Sequence, residues 1–342
     1  MYIGFYNYHT SYNRNVMLTQ PKTAIGDNLN WPFVLLAQKL KAQGHRVATI
    51  DTDNLKNFDV VVFVEFPGSN NHYLKKLVAD GAKNLYVLLL ESPAIKPDNY
   101  VLENHRYFKK IFTWQDDLVD HIKYFKVNYS HHIPVTLDGN PSQKEKEFVL
   151  IASNKSGWHR KELYSERKKA IRWFEDHHPE DFDLYGKGWD RHNFEGKLLG
   201  FKLAHLNRLT LLTKLLQPRY PSYQGSIASK HETYKKYRFS ICYENVTGYN
   251  GYVTEKIFDC FLADCVPIYL GAPNVTDHIP KETFIDKRQF DTYEKLYDYT
   301  KNMPNIQYLG YLDAIHRFLS SNQAIPFSAE YFADTIIQEI TS

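Results

Sequence analysis

Residues 237–271 read YRFSICYENVTGYNGYVTEKIFDCFLADCVPIYLG. The apolar runs 239–243 and 266–270 have the composition of strands buried on both faces. Between them, 254–263 carries Ile257, Phe258, Phe261 and Leu262 at helical spacing. Strand, helix and strand in so short a span predict a βαβ unit, with ligands expected at the C-terminal ends of its strands. Gly248 and Gly251 let the backbone before the helix approach a ligand closely. Thr254 is placed to cap the helix, whose free amides suit a diphosphate. Lys256 sits in the first turn, where a cation opposes the helix dipole, so a bound anion is expected to offset it. Glu255 beside it can accept hydrogen bonds from sugar or ribose hydroxyls. Taken alone, a Thr-Glu-Lys is more often an ordinary helix start with a solvated ion pair.

Outward from this stretch the same alternation fills the chain. Strands are expected at 2–6, 45–50, 59–64, 85–90, 111–113 and 133–135, with helices at 30–43 and 73–79. Pro32 near the first helical position and Gly44 beyond the last mark the ends of the first helix. A polar break, DGNPSQKEKE at 138–147, reads as a domain linker. The pattern restarts with a strand at 148–151, a helix at 160–174 and a strand at 182–185. A final helix is expected at 327–340, placed to cross back onto the first half. The expected organisation is α/β: two Rossmann-like, doubly wound domains, 1–140 and 147–326, facing across a cleft.

Glu91-Ser92-Pro93 follows directly on the apolar run LYVLLL at 85–90. A carboxylate at the end of a buried strand faces the crevice, where it can take a proton from an attacking hydroxyl. Glu65, at the end of the preceding strand, is the alternative base. Either acid could instead cap a turn.

The stretch at 237–271 resembles the donor-binding motif of the α1,3-fucosyltransferases, glycosyltransferase family 10. Tyr243-Glu244-Asn245, Tyr252-Val253-Thr254-Glu255-Lys256, Val266-Pro267 and Gly271 match it in order over about thirty-five residues. The resemblance implies a GT-B fold and an inverting transfer of L-fucose from GDP-fucose to a glycan hydroxyl, α1,3 or α1,4 on N-acetylglucosamine or glucose. It implies donor binding by Arg167, Asn245, Tyr252, Glu255 and Lys256, with Arg167 on the diphosphate, and a Glu-Ser-Pro glutamate as base. The first domain would then hold the acceptor and the second the GDP-sugar. No metal is required on this reading, though a divalent ion could stimulate. Another GDP-6-deoxyhexose as donor, or a catalytically silent glycan- or nucleotide-binding protein, stays open. Asp264 departs from the family pattern and is expected to cap the turn before the last strand.

Composition sets bounds. A net charge of +3 over 342 residues gives no basic stripe for nucleic acid. Aromatics at 15% suit stacking on pyranose faces, but biased composition explains them equally well. Cys242, Cys260 and Cys265 lack metal-ligand spacing and read as buried thiols of a reducing compartment. The start, MYIGFYNYHT, reads as a strand, and no apolar run reaches the roughly 18 residues of a membrane span. A cytoplasmic protein is expected, with membrane contact at most peripheral. Asp51-Thr52-Asp53 has the spacing of a metal-binding DxD, but no nucleotide site is evident beside it. Asp116-Asp117 reads as a helix start, and His131-His132 and His177-His178 as solvated loop pairs. At 198–216, leucines recur at three- and four-residue spacing among Lys202, His205, Arg208 and Lys214. A core-packed helix with a wet basic side is the favoured reading. A contact with anionic membrane, serving a lipid-linked glycan acceptor such as those of lipopolysaccharide or protein glycosylation, is the sharper one.

Overall fold

Each half of the chain closes one parallel sheet. The computed structural model describes residues 1–21, 30–133, 144–192, 194, 197–198, 201–216 and 218–342. The first sheet holds β1 (Tyr2–Asn7), β2 (Arg46–Thr49), β3 (Val60–Val64), β4 (Leu85–Leu89), β5 (Lys110–Thr113) and β6 (Tyr124–Lys126) in the order β2-β1-β3-β4-β5-β6. The second half opens with β7 (Lys146–Ile151) and β8 (Phe182–Tyr185), then a short antiparallel hairpin of β9 (Lys197–Leu198) and β10 (Phe201–Lys202). With β11 (Tyr223–Gly225), β12 (Tyr237–Tyr243), β13 (Val266–Leu270) and β14 (Ile285–Asp286), it forms a second sheet ordered β11-β8-β7-β12-β13-β14. Every pair in both six-stranded sheets is parallel. β3 and β4 are buried at every residue, as strands covered on both faces must be.

Strand order reverses between β1 and β3 in one sheet and between β7 and β12 in the other. These switch points open crevices at the strand C-terminal ends, where ligands bind in such sheets. The last helix, Ala329–Thr341, packs on the helix Trp31–Ala42, with Phe332 edge-on to Phe33 at 5.5 Å. Phe332, Ile336 and Ile340 share one apolar cluster with Ile3, Val62 and Leu88, so the end of the chain completes the first core.

Some expectations change. The edge strand of the first sheet is β6, which was not expected; its three half-buried residues carry too little pattern to be read from sequence. Ile133 lies outside any strand, and 134–135 fall outside the described residues. Of the polar break, 138–143 also fall outside them, while Lys146 and Glu147 belong to β7. The helix expected at 160–174 begins only at Tyr164 and runs to His177, because 152–163 is an irregular loop at the crevice. The segment 198–216 is not one core-packed helix. Leu199 lies outside the described residues; a 3-10 turn at Leu203–Arg208 leads to a helix of six residues, Thr210–Leu215. Leu211 and Leu215 are 85% and 82% exposed.

Candidate active site

Both switch points feed one cleft of about 910 Å³. Asn7, Glu65 and Glu91 reach it from the first sheet, and Lys155, Asn245, Tyr252, Glu255 and Lys256 from the second.

The second wall is organised by a residue whose role the sequence did not disclose. Glu244, at the end of β12, is fully buried. Its carboxylate accepts the Thr254 amide at 2.8 Å, the Thr254 hydroxyl at 2.7 Å and the Lys256 ammonium at 2.9 Å. Thr254 does stand at the helix N-cap, but its side chain makes no cap bond; it donates to Glu244 instead. Glu244 thus provides an anion at the start of the helix Glu255–Phe261, which makes the Lys256 position tolerable before any ligand arrives. Burial works against the Lys256 charge, but Glu244 and Glu255 outweigh it and raise its pKa. Burial likewise pushes Glu255 up, and Lys256 and Lys230 outweigh that and hold it at about 2. Lys230 is itself paired with Asp259 at 2.8 Å.

Arg167 lies behind this wall and is 5% exposed. Its Nε and Nη2 donate to the Tyr243 carbonyl at 3.2 and 2.6 Å, and Nη2 also reaches Asn245 Oδ1 at 3.0 Å. The guanidinium therefore fixes the end of β12 and the Asn245 amide, and does not itself line the cleft. Tyr252 is buried against Trp114, with ring centroids 4.7 Å apart, so the loop before the helix Glu255–Phe261 rests on the first half. Gly251, at φ +80°, makes this possible: a Cβ there would lie 2.4 Å from the Trp114 carbonyl oxygen.

On the opposite wall the Glu91 side chain lines the cleft. Burial raises its pKa, and the negative charge of Glu255 raises it further, against Lys155 and Lys256. Two carboxylates in one cleft are thereby driven apart: Glu255 stays ionised, while Glu91 holds its proton more tightly than an ordinary glutamate.

Of the residues read as bystanders, one joins the site and others take structural roles. His131 is no solvated loop histidine: its ring stacks on Phe258 at 4.4 Å and lines the cleft. Burial lowers its pKa to about 4, and its buried Nε2 has no hydrogen-bond partner among the described residues. His177 and His178 stack on Trp173 and Tyr297, at 5.0 and 3.6 Å. Asp116 is more than a helix start. It accepts from Lys126 at 2.5 Å, and across the two halves from Asn274 at 2.8 Å and His278 at 2.7 Å. Asp117 accepts from Asn250 at 2.9 Å, adding a second strut. Asp51 takes the Arg14 amide, tying the segment after β1 to the end of β2, and Asp53 takes the Asn54 amide and Asn57 side chain in a local turn, so both DxD residues are engaged in backbone structure. Asp264 takes φ +52° after the helix end and bonds His316 at 2.5 Å, away from the cleft.

A family model described as glycosyltransferase family 10 (fucosyltransferase), C-terminal part, matches residues 141–318, just over half of the chain. The Helicobacter pylori alpha-(1,3)-fucosyltransferase FucT is 34% identical over 91 residues, 27% of this chain and 19% of that protein. The chain thus spans about a fifth of the length of the curated relatives it matches. A crystal structure of an α1,3-fucosyltransferase superposes with TM-score 0.56 at 16% identity, covering 100% of this chain and 90% of the other. Another, with GDP-fucose, gives 0.50 at 13% identity and the same coverage. A DNA-modifying β-glucosyltransferase gives 0.57 at 14% identity over 100% of both chains, so the shared fold is GT-B and does not by itself select the donor.

Proposed function

The chain belongs to glycosyltransferase family 10, the fucosyltransferases, and from that premise we propose that it moves L-fucose from GDP-fucose to a hydroxyl of a glycan acceptor with inversion. The observation that carries this reading is the meeting of Glu91, from one sheet, with Tyr252, Glu255 and Lys256, from the other, in one cleft. The second half, 147–326, holds the GDP-sugar; the first, 1–140 with the last helix, presents the acceptor. Glu91 removes the acceptor hydroxyl proton as the oxygen bonds to C1 of the sugar. The bond from C1 to the diphosphate oxygen breaks on the opposite face, and GDP leaves with the electron pair. Lys256 meets the charge that develops on the diphosphate, an electrostatic role of the kind that dominates such transfers. Arg167 contributes by orienting Asn245 and adding its charge from behind. Glu255, ionised throughout, accepts donor hydroxyls or faces the cationic ring. The acceptor is N-acetylglucosamine or glucose in a glycan, through an α1,3 or α1,4 linkage.

The test is transfer assayed across GDP-sugars and glycan acceptors with EDTA present, alongside Glu91→Gln. GDP-fucose should be the preferred donor. Glu91→Gln should lose about 10²–10⁴-fold in turnover, the span of general base catalysis, and still bind GDP. Strict need for added metal, or preference for another GDP-sugar, would overturn the corresponding part.

No helix among the described residues is long and apolar enough to cross a membrane. A peripheral contact at a cytoplasmic membrane face is nevertheless supported by exposed Leu209, Leu211, Leu215 and Leu216 beside Arg208 and Lys214. Flotation with phosphatidylglycerol vesicles should be lost in Leu211→Asp/Leu215→Asp; unchanged flotation would sink the contact.

A further inference from the structure

β3 ends at a switch point, and the next residue is Glu65, held at φ +69°. Its amide still donates to the Leu88 carbonyl at 2.9 Å, so the ladder runs one residue beyond the strand before the chain turns. The turn sends the side chain across to the end of β4. There Oε1 accepts the amide of Leu90 at 3.1 Å and that of Glu91 at 2.9 Å. Oε2 takes a short bond from the Asn99 amide, whose own oxygen accepts the Phe66 amide at 2.9 Å.

The carbonyls are held as well. Leu90 O accepts Trp114 Nε1 at 2.8 Å together with the Tyr129 hydroxyl, and Glu91 O accepts the Tyr100 hydroxyl at 2.8 Å. Every main-chain polar group of Leu90 and Glu91 is thus taken by a side chain, while no hydrogen bond to the Glu91 carboxylate is found among the described residues. An ordinary turn needs nothing so costly as a carboxylate that is 2% exposed. Burial drives the Glu65 pKa up to about 7 despite the three N–H donors. Three of its acceptor positions are spent on this grip, whereas the Glu91 carboxylate is left to the cleft, which favours Glu91 over Glu65 as the base.

We propose that Glu65 is a positioning residue for Glu91: it grips the two amides that set the direction of the Glu91 side chain, and Trp114 ties the same peptide to the donor loop. Trp114 bonds the Leu90 carbonyl and packs its ring on Tyr252, so closing the donor loop and aiming the base use one aromatic stack. The proposal rests on Glu91 as the base.

The experiment compares Glu65→Ala, Glu65→Gln and the double variant Glu65→Gln/Asn99→Asp with wild type and Glu91→Gln. Turnover is normalised to protein that binds GDP, so loss of folded molecules is not counted as loss of catalysis. Glu65→Gln sets two amide donors face to face; adding Asn99→Asp restores an acceptor there and keeps the Phe66 bond. We expect kcat to fall at least tenfold in both single variants, with KM for donor and GDP affinity within about twofold, and to recover in the double variant. Full kcat per GDP-binding molecule in Glu65→Gln overturns the positioning role. So does a loss that appears only in GDP affinity or melting temperature. If Glu65→Ala does not fold, the Gln pair decides the matter. A loss in Glu91→Gln without one in the Glu65 variants removes the positioning role alone, whereas full turnover in Glu91→Gln removes the base reading itself.

Discussion

Glu91 and Glu255 carry the same functional group and are pushed in opposite directions. Burial raises both, but Glu255 has two lysines against it and Glu91 has a carboxylate across the cleft. Lys155 is the cation that most lowers Glu91, and it stands on an exposed loop. Removing it takes away a favourable charge, so the Glu91 pKa must rise and the acid limb of kcat/KM must move to higher pH. Because solvent screens an exposed lysine, Lys155→Gln should move that limb only slightly toward higher pH. A shift to lower pH would show that another group governs the limb. Both glutamates were legible as acids at informative positions. Their opposed ionisation was not, because Lys230 and Lys155 come from segments whose approach no motif announces.

At the level of elements, the loop before the helix Glu255–Phe261 shows how much a glycine can encode. Gly44 and Gly251 both take positive φ, at +83° and +80°, yet a Cβ at Gly44 meets nothing within 4 Å. Gly44→Ala should therefore cost only the left-handed backbone penalty of roughly 1–2 kcal/mol and leave GDP binding intact. Gly251→Ala must also push the loop off Trp114, so thermal stability and GDP affinity should both fall. Thermal unfolding and GDP titration separate the two; equal behaviour would mean the contact with Trp114 does not hold this loop. The elements β8 and β13 begin and end at the residues expected for them, 182–185 and 266–270. β6 escaped notice, since a three-residue edge strand is defined by its neighbour β5 and not by its own pattern.

The two halves of the molecule are joined by Asp116. Lys126 shares its half, while Asn274 and His278 belong to the other. Burial alone would raise the Asp116 pKa, but the bonds from His278 and Lys126 and the Lys126 charge bring it below the ordinary value. A depressed acid stabilises the fold above its unfolded pKa of about 4 and loses that contribution as pH falls through the folded value. Asp116→Asn should cost about 1.5–3 kcal/mol at pH 7. The difference from wild type should shrink below about pH 4 in urea unfolding; a constant gap would show that charge is not what Asp116 supplies. Two parallel sheets, the βαβ unit at 237–271 and the strand-end position of Glu91 follow from local pattern, because apolar runs, glycines and caps act on their own neighbours. Packing alone decided which charges neutralise which. Glu244 became the counter-ion of Lys256, Arg167 withdrew behind Asn245, and Glu65 became the brace of Glu91. Each depends on groups far apart in the chain that meet only when the strand ends of both sheets face one cleft, and electrostatic energy depends on that distance and burial, which no stretch of sequence contains.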